Sequence, residues 1–195
     1  PIYGVEVRRR IGYLPSGPRY YSGMTGGDLF TLDASLRRQE PDPGYLDQLI
    51  ARFDLDPTRV VGTLSRGNQQ KVGLILSLFL KPEVVILDEP TSGLDPLIQK
   101  EVLEVVREVA RDGRTVFFSS HLLHEVEEIC SRAAVLRAGE LVGVFDLAQE
   151  RTLVGRQVVV TLDAAPPDEV FAGLPGVRLA SREGTRLTFA LRSEE

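Results

Sequence analysis

Hydrophobic and polar positions divide the middle of the chain into alternating elements. The apolar run VVIL of residues 84–87 closes on Asp88 and reads as a buried strand, and TVFFSS of residues 115–120 reads as a second. Between them, Ile98, Val102, Val105, Val106 and Val109 recur at helical spacing. Asp95-Pro96 supplies a cap and first-turn pair and Asp112-Gly113 a stop, so a helix is predicted from Pro96 to about Arg111. Upstream, Ser65 is placed to cap a long apolar helix that reaches about Leu80. Strands separated by helices of this length predict an α/β fold, a parallel sheet with crossover helices.

The flanks follow the same logic with less regularity. RRRIGYLP predicts a short strand that Pro15 and the Ser16-Gly17-Pro18 cluster break. Thr25 caps a predicted helix carrying Leu29, Phe30 and Leu36, and PDPGYLDQLIARF sets Tyr45, Leu46, Leu49, Ile50 and Phe53 on one stripe. Residues 54–63 read as a loop. HLLHEVEEIC predicts a short helix and AAVLRAGELVGVF a hairpin turning near Ala138-Gly139. Beyond about Asp146 the texture changes to a short helix with Gly155, a strand QVVVTLDA, a Pro-rich break, a short helix DEVFAGL, and two strands around Arg182-Glu183-Gly184-Thr185. This is a small α+β appendage, too short to hold a deep core of its own.

Composition changes the picture only at its edges. With 195 residues, 43% hydrophobic and 26% charged, the chain is long enough for a sizeable core. A net charge of −5 and a pI near 5.2 argue against a broad basic face, so nucleic acid is not an expected partner. Arg8, Arg9 and Arg10 form the compact basic run, read as a solvated stretch beside the first strand. Cys130 is the single cysteine, which excludes a disulfide framework and predicts a packed thiol. The most apolar run, VGLILSLFL, is well short of the roughly 20 residues of a membrane-spanning helix, so a soluble chain is expected.

The chemistry gathers where a parallel sheet places its ligands, beyond the carboxyl ends of the strands. Asp88 and Glu89 stand side by side at one strand end, and Ser119, Ser120 and His121 at the other. Neighbouring strand positions point opposite ways, which gives the two carboxylates different tasks. One is suited to anchor the water shell of a metal ion and the other to face a reacting water, as phosphoryl transfer to water requires. TLSRGNQQK adds an anion site, with the Ser65 hydroxyl, a close backbone approach at Gly67 and the positive end of the long helix. His121 and His124 with Glu125 do not make a zinc helix, because His121 precedes the helix and a third ligand is missing. His124 is read as a surface or packing residue, and Tyr20 and Tyr21 as interface or core.

The order LSRGN, VVILDEP, SGLD, SSH resembles the nucleotide-binding subunit of ATP-binding-cassette (ABC) transporters, over about residues 1–145. RRRIGYLP and SRGNQQKVGL resemble the bacterial exporter branch, whose membrane subunits are separate chains. The resemblance implies a P-loop NTPase-like sheet with an inserted α-helical subdomain over about residues 17–75, followed by the accessory region 146–195. It implies ATP and Mg2+ as ligands, a second nucleotide-binding subunit and an integral membrane permease as partners, and a cytoplasmic place on the inner face of the membrane. By the same resemblance Asp88 holds Mg2+ through water, Glu89 polarises the attacking water, and His121 contacts the γ-phosphate. Asp95 reaches the partner subunit, and Ser65, Arg66, Gly67 and Asn68 form the signature that clamps ATP bound on that partner.

Three departures from the family pattern stand out. Arg66 and Asn68 occupy positions where Gly and Gln are commonest, and Ser16 stands at the Q-loop position as a shorter candidate Mg2+ ligand. The third is the P-loop: none of Lys71, Lys81 and Lys100 closes a GxxxxGKS/T pattern. The resemblance therefore implies a chain truncated at its N-terminus that does not bind ATP in a P-loop of its own. The alternatives are a soluble ABC ATPase outside transport and a short non-catalytic chain lending its signature to a P-loop-bearing partner.

Overall fold

The computed structural model describes residues 4–21, 23–147, 157–161 and 177–191, in two compact units, residues 1–129 and 130–195. The first carries α1 (Val5–Arg9), β1 (Ile11–Leu14), α2 (Gly26–Arg37), α3 (Pro43–Arg52), a 3-10 turn (Val61–Thr63), α4 (Arg66–Leu78), β2 (Val84–Asp88), α5 (Pro96–Arg111), β3 (Thr115–Ser119) and α6 (Leu123–Ile129). The strands form a sheet in the order β1-β2-β3, parallel throughout. Its rows read Tyr13–Ile86–Phe117 and Leu14–Leu87–Phe118, and Asp88 pairs with Ser119 at the carboxyl end.

Alternation along these strands decides what is buried. Leu14, Val85 and Leu87 join one core with Leu74, Ile75 and Leu78 of α4 and Val102, Val105, Val106 and Val109 of α5. Each fully buried side chain of this size stabilises the fold by roughly 1.5–3 kcal/mol. On the opposite face Tyr13 and Phe117 are 56% and 61% exposed. Gly12 explains how closely β1 lies on α4: a Cβ there would stand 1.9 Å from the Ser77 carbonyl oxygen.

The α2–α3 region docks through aromatic packing and one cation. Phe30 stacks against Phe79 with centroids 5.8 Å apart, and Phe53 is fully buried. Arg52 of α3 pairs with both Glu101 and Glu108 of α5, tying the two helices together. Thr25 closes α2 with a reciprocal capping box with Asp28, and Asp42 caps α3.

Several expectations need correction. The strand expected over RRRIGYLP is shorter: the basic run lies beside it, with Arg8 and Arg9 ending α1, and β1 starts only at Ile11, where the edge of β2 offers hydrogen bonds. A local Glu6–Arg9 ion pair supports that helical turn, and Arg10 pairs with Glu83. Leu36 is 69% exposed at the last turn of α2, where Arg37 donates to the carbonyls of Arg8 and Ile11. The expected loop before Ser65 contains the 3-10 turn.

The second unit holds the hairpin β4 (Arg132–Arg137) and β5 (Glu140–Asp146), which turns at Ala138-Gly139 as predicted. It also holds β6 (Gln157–Thr161), β7 (Val177–Glu183) and β8 (Arg186–Leu191), an antiparallel sheet in the order β6-β8-β7. The helices expected near Gly155 and at DEVFAGL lie outside the described residues. Contacts divide the units after Ile129, so the hairpin groups with the later strands, while the texture of the sequence changes at 145/146. Cys130, at that division, is half-buried.

Candidate nucleotide site

Asp88 is the last residue of β2, and both its carboxylate oxygens are held. Oδ1 accepts from the Ser119 hydroxyl at 2.6 Å, and Oδ2 from the Ser16 backbone N–H at 3.3 Å. The parallel register puts Ser119 directly opposite Asp88, so this clasp is a product of strand pairing. Glu89 follows with φ +50, a left-handed conformation that costs a non-glycine residue roughly 1–2 kcal/mol. Its backbone N–H donates to the Ser119 hydroxyl at 3.0 Å, and its carboxylate Oε2 lies 2.7 Å from His121 Nδ1.

The two carboxylates thus take different partners, for a reason other than strand alternation. Glu89 lies past the end of β2, and the backbone reversal directs its side chain to His121. Gln70 of α4 secures the reversal from behind: its buried amide donates to the carbonyls of Glu89 and Pro90 at 3.1 and 3.3 Å. Neither Ser119 as a clasp nor Gln70 as a brace was given a role from sequence. The parallel register alone pairs Ser119 with Asp88, and no local signal marks Gln70.

A second polar concavity opens at the start of α4. It is a cavity of about 520 Å³ lined by Ser65, Arg66, Gly67, Asn68, Lys71, Gly93, Leu94 and Asp95. Ser65 caps the helix by accepting the Asn68 N–H at 3.3 Å. Gly67 faces the Gly93 carbonyl so closely that a Cβ would stand 2.8 Å from its oxygen. Asp95 caps α5, accepting the N–H groups of Leu97 and Ile98 at 3.1 Å each. Lys71 is 7% exposed and donates to the Asp54 carbonyl at 3.3 Å. The cavity therefore combines the Ser65 hydroxyl, a helix dipole end, the Arg66 guanidinium and a small backbone surface at Gly67, groups that suit an anion, with the Asp95 carboxylate at its edge.

Ser16 reaches the site through its backbone, with an exposed side chain. Tyr20 packs against the core with its hydroxyl buried and without a hydrogen-bond partner among the described residues, and burial raises its pKa, whereas Tyr21 is 70% exposed. No group of three or more His, Cys, Asp or Glu side chains positioned for a metal ion occurs among the described residues. No helix of the described residues is long and apolar enough to cross a membrane.

The first unit thus presents a parallel sheet whose second strand ends in Asp88, clasped by Ser119, with Glu89 beside His121 and a polar concavity at the start of α4. The family model described as "AAA domain, putative AbiEii toxin, Type IV TA system" matches residues 8–127. The chain is 38% identical over 149 residues to an uncharacterized ABC transporter ATP-binding protein of Nostoc sp., covering 73% of this chain and 44% of that one. It is 34% identical over 190 residues to one of Alkalihalophilus pseudofirmus, covering 95% of this chain and 70% of the relative. A solved ATP-binding subunit of an ABC transporter superposes with a TM-score of 0.68 at 27% identity, over 75% of this chain and 63% of that one. An ATP-binding cassette solved as a dimer with ADP and Pi shares the fold, with a TM-score of 0.64 at 19% identity, over 73% of this chain and 65% of that one. The chain belongs to the family of ABC transporter ATP-binding proteins. It spans about half the length of the first relatives it matches, 44%, 44% and 46%.

Proposed function

We propose that the chain supplies the hydrolytic and signature parts of an ATP-hydrolysing subunit of a bacterial ABC exporter. The Glu89–His121 contact at the carboxyl ends of β2 and β3 carries this reading. Glu89 holds and polarises the attacking water. His121, engaged through Nδ1, presents Nε2 to a terminal phosphate oxygen. Ser119 and Ser16 fix the carboxylate of Asp88, whose free lone pairs suit the water shell of a magnesium ion. A strand-end carboxylate such as Asp88 fits Mg2+, which binds through one or two carboxylates together with substrate phosphates. Bound there, Mg2+ would neutralise charge on the phosphates.

The 195 residues hold no GxxxxGKS/T stretch, so a P-loop of that kind is not among the parts proposed for them. The cavity at Ser65, Arg66, Gly67 and Asn68 receives the terminal phosphate of ATP held by a second nucleotide-binding subunit, and Asp95 lies on the same surface. Two such subunits form a two-fold pair in which each completes the other's site. Opening and closing of the pair drives a separate membrane permease from its cytoplasmic side. Residues 1–145 act as the ATPase domain, with the helical region of about 17–75 as the coupling part, and 146–195 as an accessory region.

The test is ATP turnover and ATP-dependent dimerisation of the gene product that contains these residues, wild type against Glu89→Gln. Phosphate release is expected to fall about 100-fold or more while the ATP-bound dimer persists. Equal turnover in the two proteins would remove Glu89 from the reaction. No turnover in either, with activation of a P-loop-bearing subunit on mixing, would reduce the chain to a donor of its signature.

A further inference from the structure

Among the described residues the buried polar set contains one carboxylate, Glu125, which is 1% exposed. It lies on α6, outside the site just described, and the proposed reaction does not use it. Burying a carboxylate is expensive unless hydrogen bonds hold it, so its partner is informative. That partner is the hydroxyl of Ser120, which donates to Glu125 Oε2 and in turn accepts the Leu122 N–H at 3.0 Å. The Glu125 N–H donates to the Leu122 carbonyl at 3.1 Å, which closes the turn on itself.

His121 stands at the apex of this closed turn. Ser119, Ser120 and His121 are consecutive, and their side chains part company: Ser119 goes to Asp88, His121 to Glu89, and Ser120 to Glu125. His121 itself is 69% exposed at its side chain and is packed by little, so its aim depends on the backbone that carries it. That backbone is fixed in front by β3 and behind by the hydrogen-bonded chain Leu122–Ser120–Glu125.

We propose that Glu125 is a positioning residue: through the Ser120 hydroxyl it holds the 120–122 turn so that the imidazole of His121 meets Glu89. This rests on the reading of Glu89 and His121 as the hydrolytic pair. A carboxylate serves where an apolar residue would not, because the Ser120 hydroxyl must be turned inward to leave its lone pair for Leu122. A displacement of about 1 Å at such a group costs up to about 100-fold in rate.

The experiment compares wild type with Glu125→Ala, Glu125→Gln, Ser120→Ala and the double alanine variant, with folding checked by circular dichroism. On the chain itself, nitrogen-15 NMR of the His121 ring and hydrogen exchange of the Leu122 amide are read. Either alanine variant is expected to move the ring signals and to lower Leu122 protection by ~10-fold or more. Glu125→Gln keeps an acceptor and is expected to stay near wild type. The double variant is expected to add little to either single change, since both remove one interaction. In the ATP-hydrolysing protein, Glu125→Ala is expected to lower kcat by about 10- to 100-fold with little change in KM. Unmoved ring signals in a folded Glu125→Ala or Ser120→Ala variant would overturn the proposal, as would Glu125→Gln behaving like alanine. If Glu125→Ala does not fold, Ser120→Ala and Glu125→Gln decide. Ring signals that respond as expected on the chain, with no turnover by the gene product that contains it, would overturn the ATPase reading and leave the positioning intact.

Discussion

The carboxyl end of β2 and the N-terminal end of α4 both present polar groups to a prospective phosphate, yet they are built by different means. At β2 the functional side chains hold one another: Asp88 by Ser119, Glu89 by His121. At α4 the holding contacts are made to backbone: the Ser65 hydroxyl accepts the Asn68 N–H, and Gly67 sits against the Gly93 carbonyl. The first kind of site is sensitive to chemistry at constant shape, and the second to shape at nearly constant chemistry. Gln70 belongs to both, since it sits on α4 and grips the carbonyls of Glu89 and Pro90.

Substitutions separate the two behaviours. Gly67→Ala should have the largest effect on folding, because the new Cβ meets a backbone oxygen at 2.8 Å and one of the two segments has to move. Overpacking of this kind costs about 1–3 kcal/mol, against a gain of up to ~1 kcal/mol for alanine over glycine in a helix. A lower urea midpoint is expected, with shifted Asn68 signals and an unaltered His121 ring. An unchanged midpoint would mean that α4 is not seated on Gly93.

Loss of the cap should be milder. Ser65→Ala is expected to cost about 1 kcal/mol and to speed exchange of the Asn68 amide. Ser65→Asp retains a capping oxygen and should restore stability, but it places a negative charge in the cavity. Recovered stability with recovered ATP-dependent dimerisation would show that the cavity receives no anion.

The smallest effect lies away from both ends, at the Arg52 tie between α3 and α5. Hydrogen bonding to Arg52 lowers the pKa of Glu108 below its ordinary 4.5. A lowered folded-state value means stability present above about pH 4.5 and lost as pH falls from there through the lower folded-state value. The carboxylate side chain is 54% exposed, so solvent screening keeps the contribution below ~1 kcal/mol. Glu108→Gln should flatten that part of the decline in urea midpoint between neutral pH and about pH 3. A decline of the same steepness in the variant would assign it to other carboxylates, such as Asp42 beside Lys81.

What was legible in the sequence was what neighbouring residues decide. The Asp95-Pro96 start of α5, the Ser65 cap and the Ala138-Gly139 turn are encoded within a few positions, and each stands where the pattern put it. The parallel sheet followed from the lengths of the crossovers. The bend of the Arg8–Arg10 run into a helix was hidden, because strand pairing begins only where β2 lies alongside. In the candidate site the residues proposed to carry chemistry were visible, and the contacts that support them were not. Ser119 reaches Asp88 through strand register, Gln70 reaches Glu89 across 19 positions of sequence, and the Glu125–Ser120 bond exists only once α6 has turned back.

The left-handed backbone at Glu89 has a bearing on engineering. A glycine there would relax the chain by roughly 1 kcal/mol. Any selection for heat resistance alone would therefore reward replacing this carboxylate, and a library screened for melting temperature would drift toward well-folded proteins that have lost their proposed nucleophile-orienting group. Screens on this scaffold need a turnover readout at position 89 from the first round.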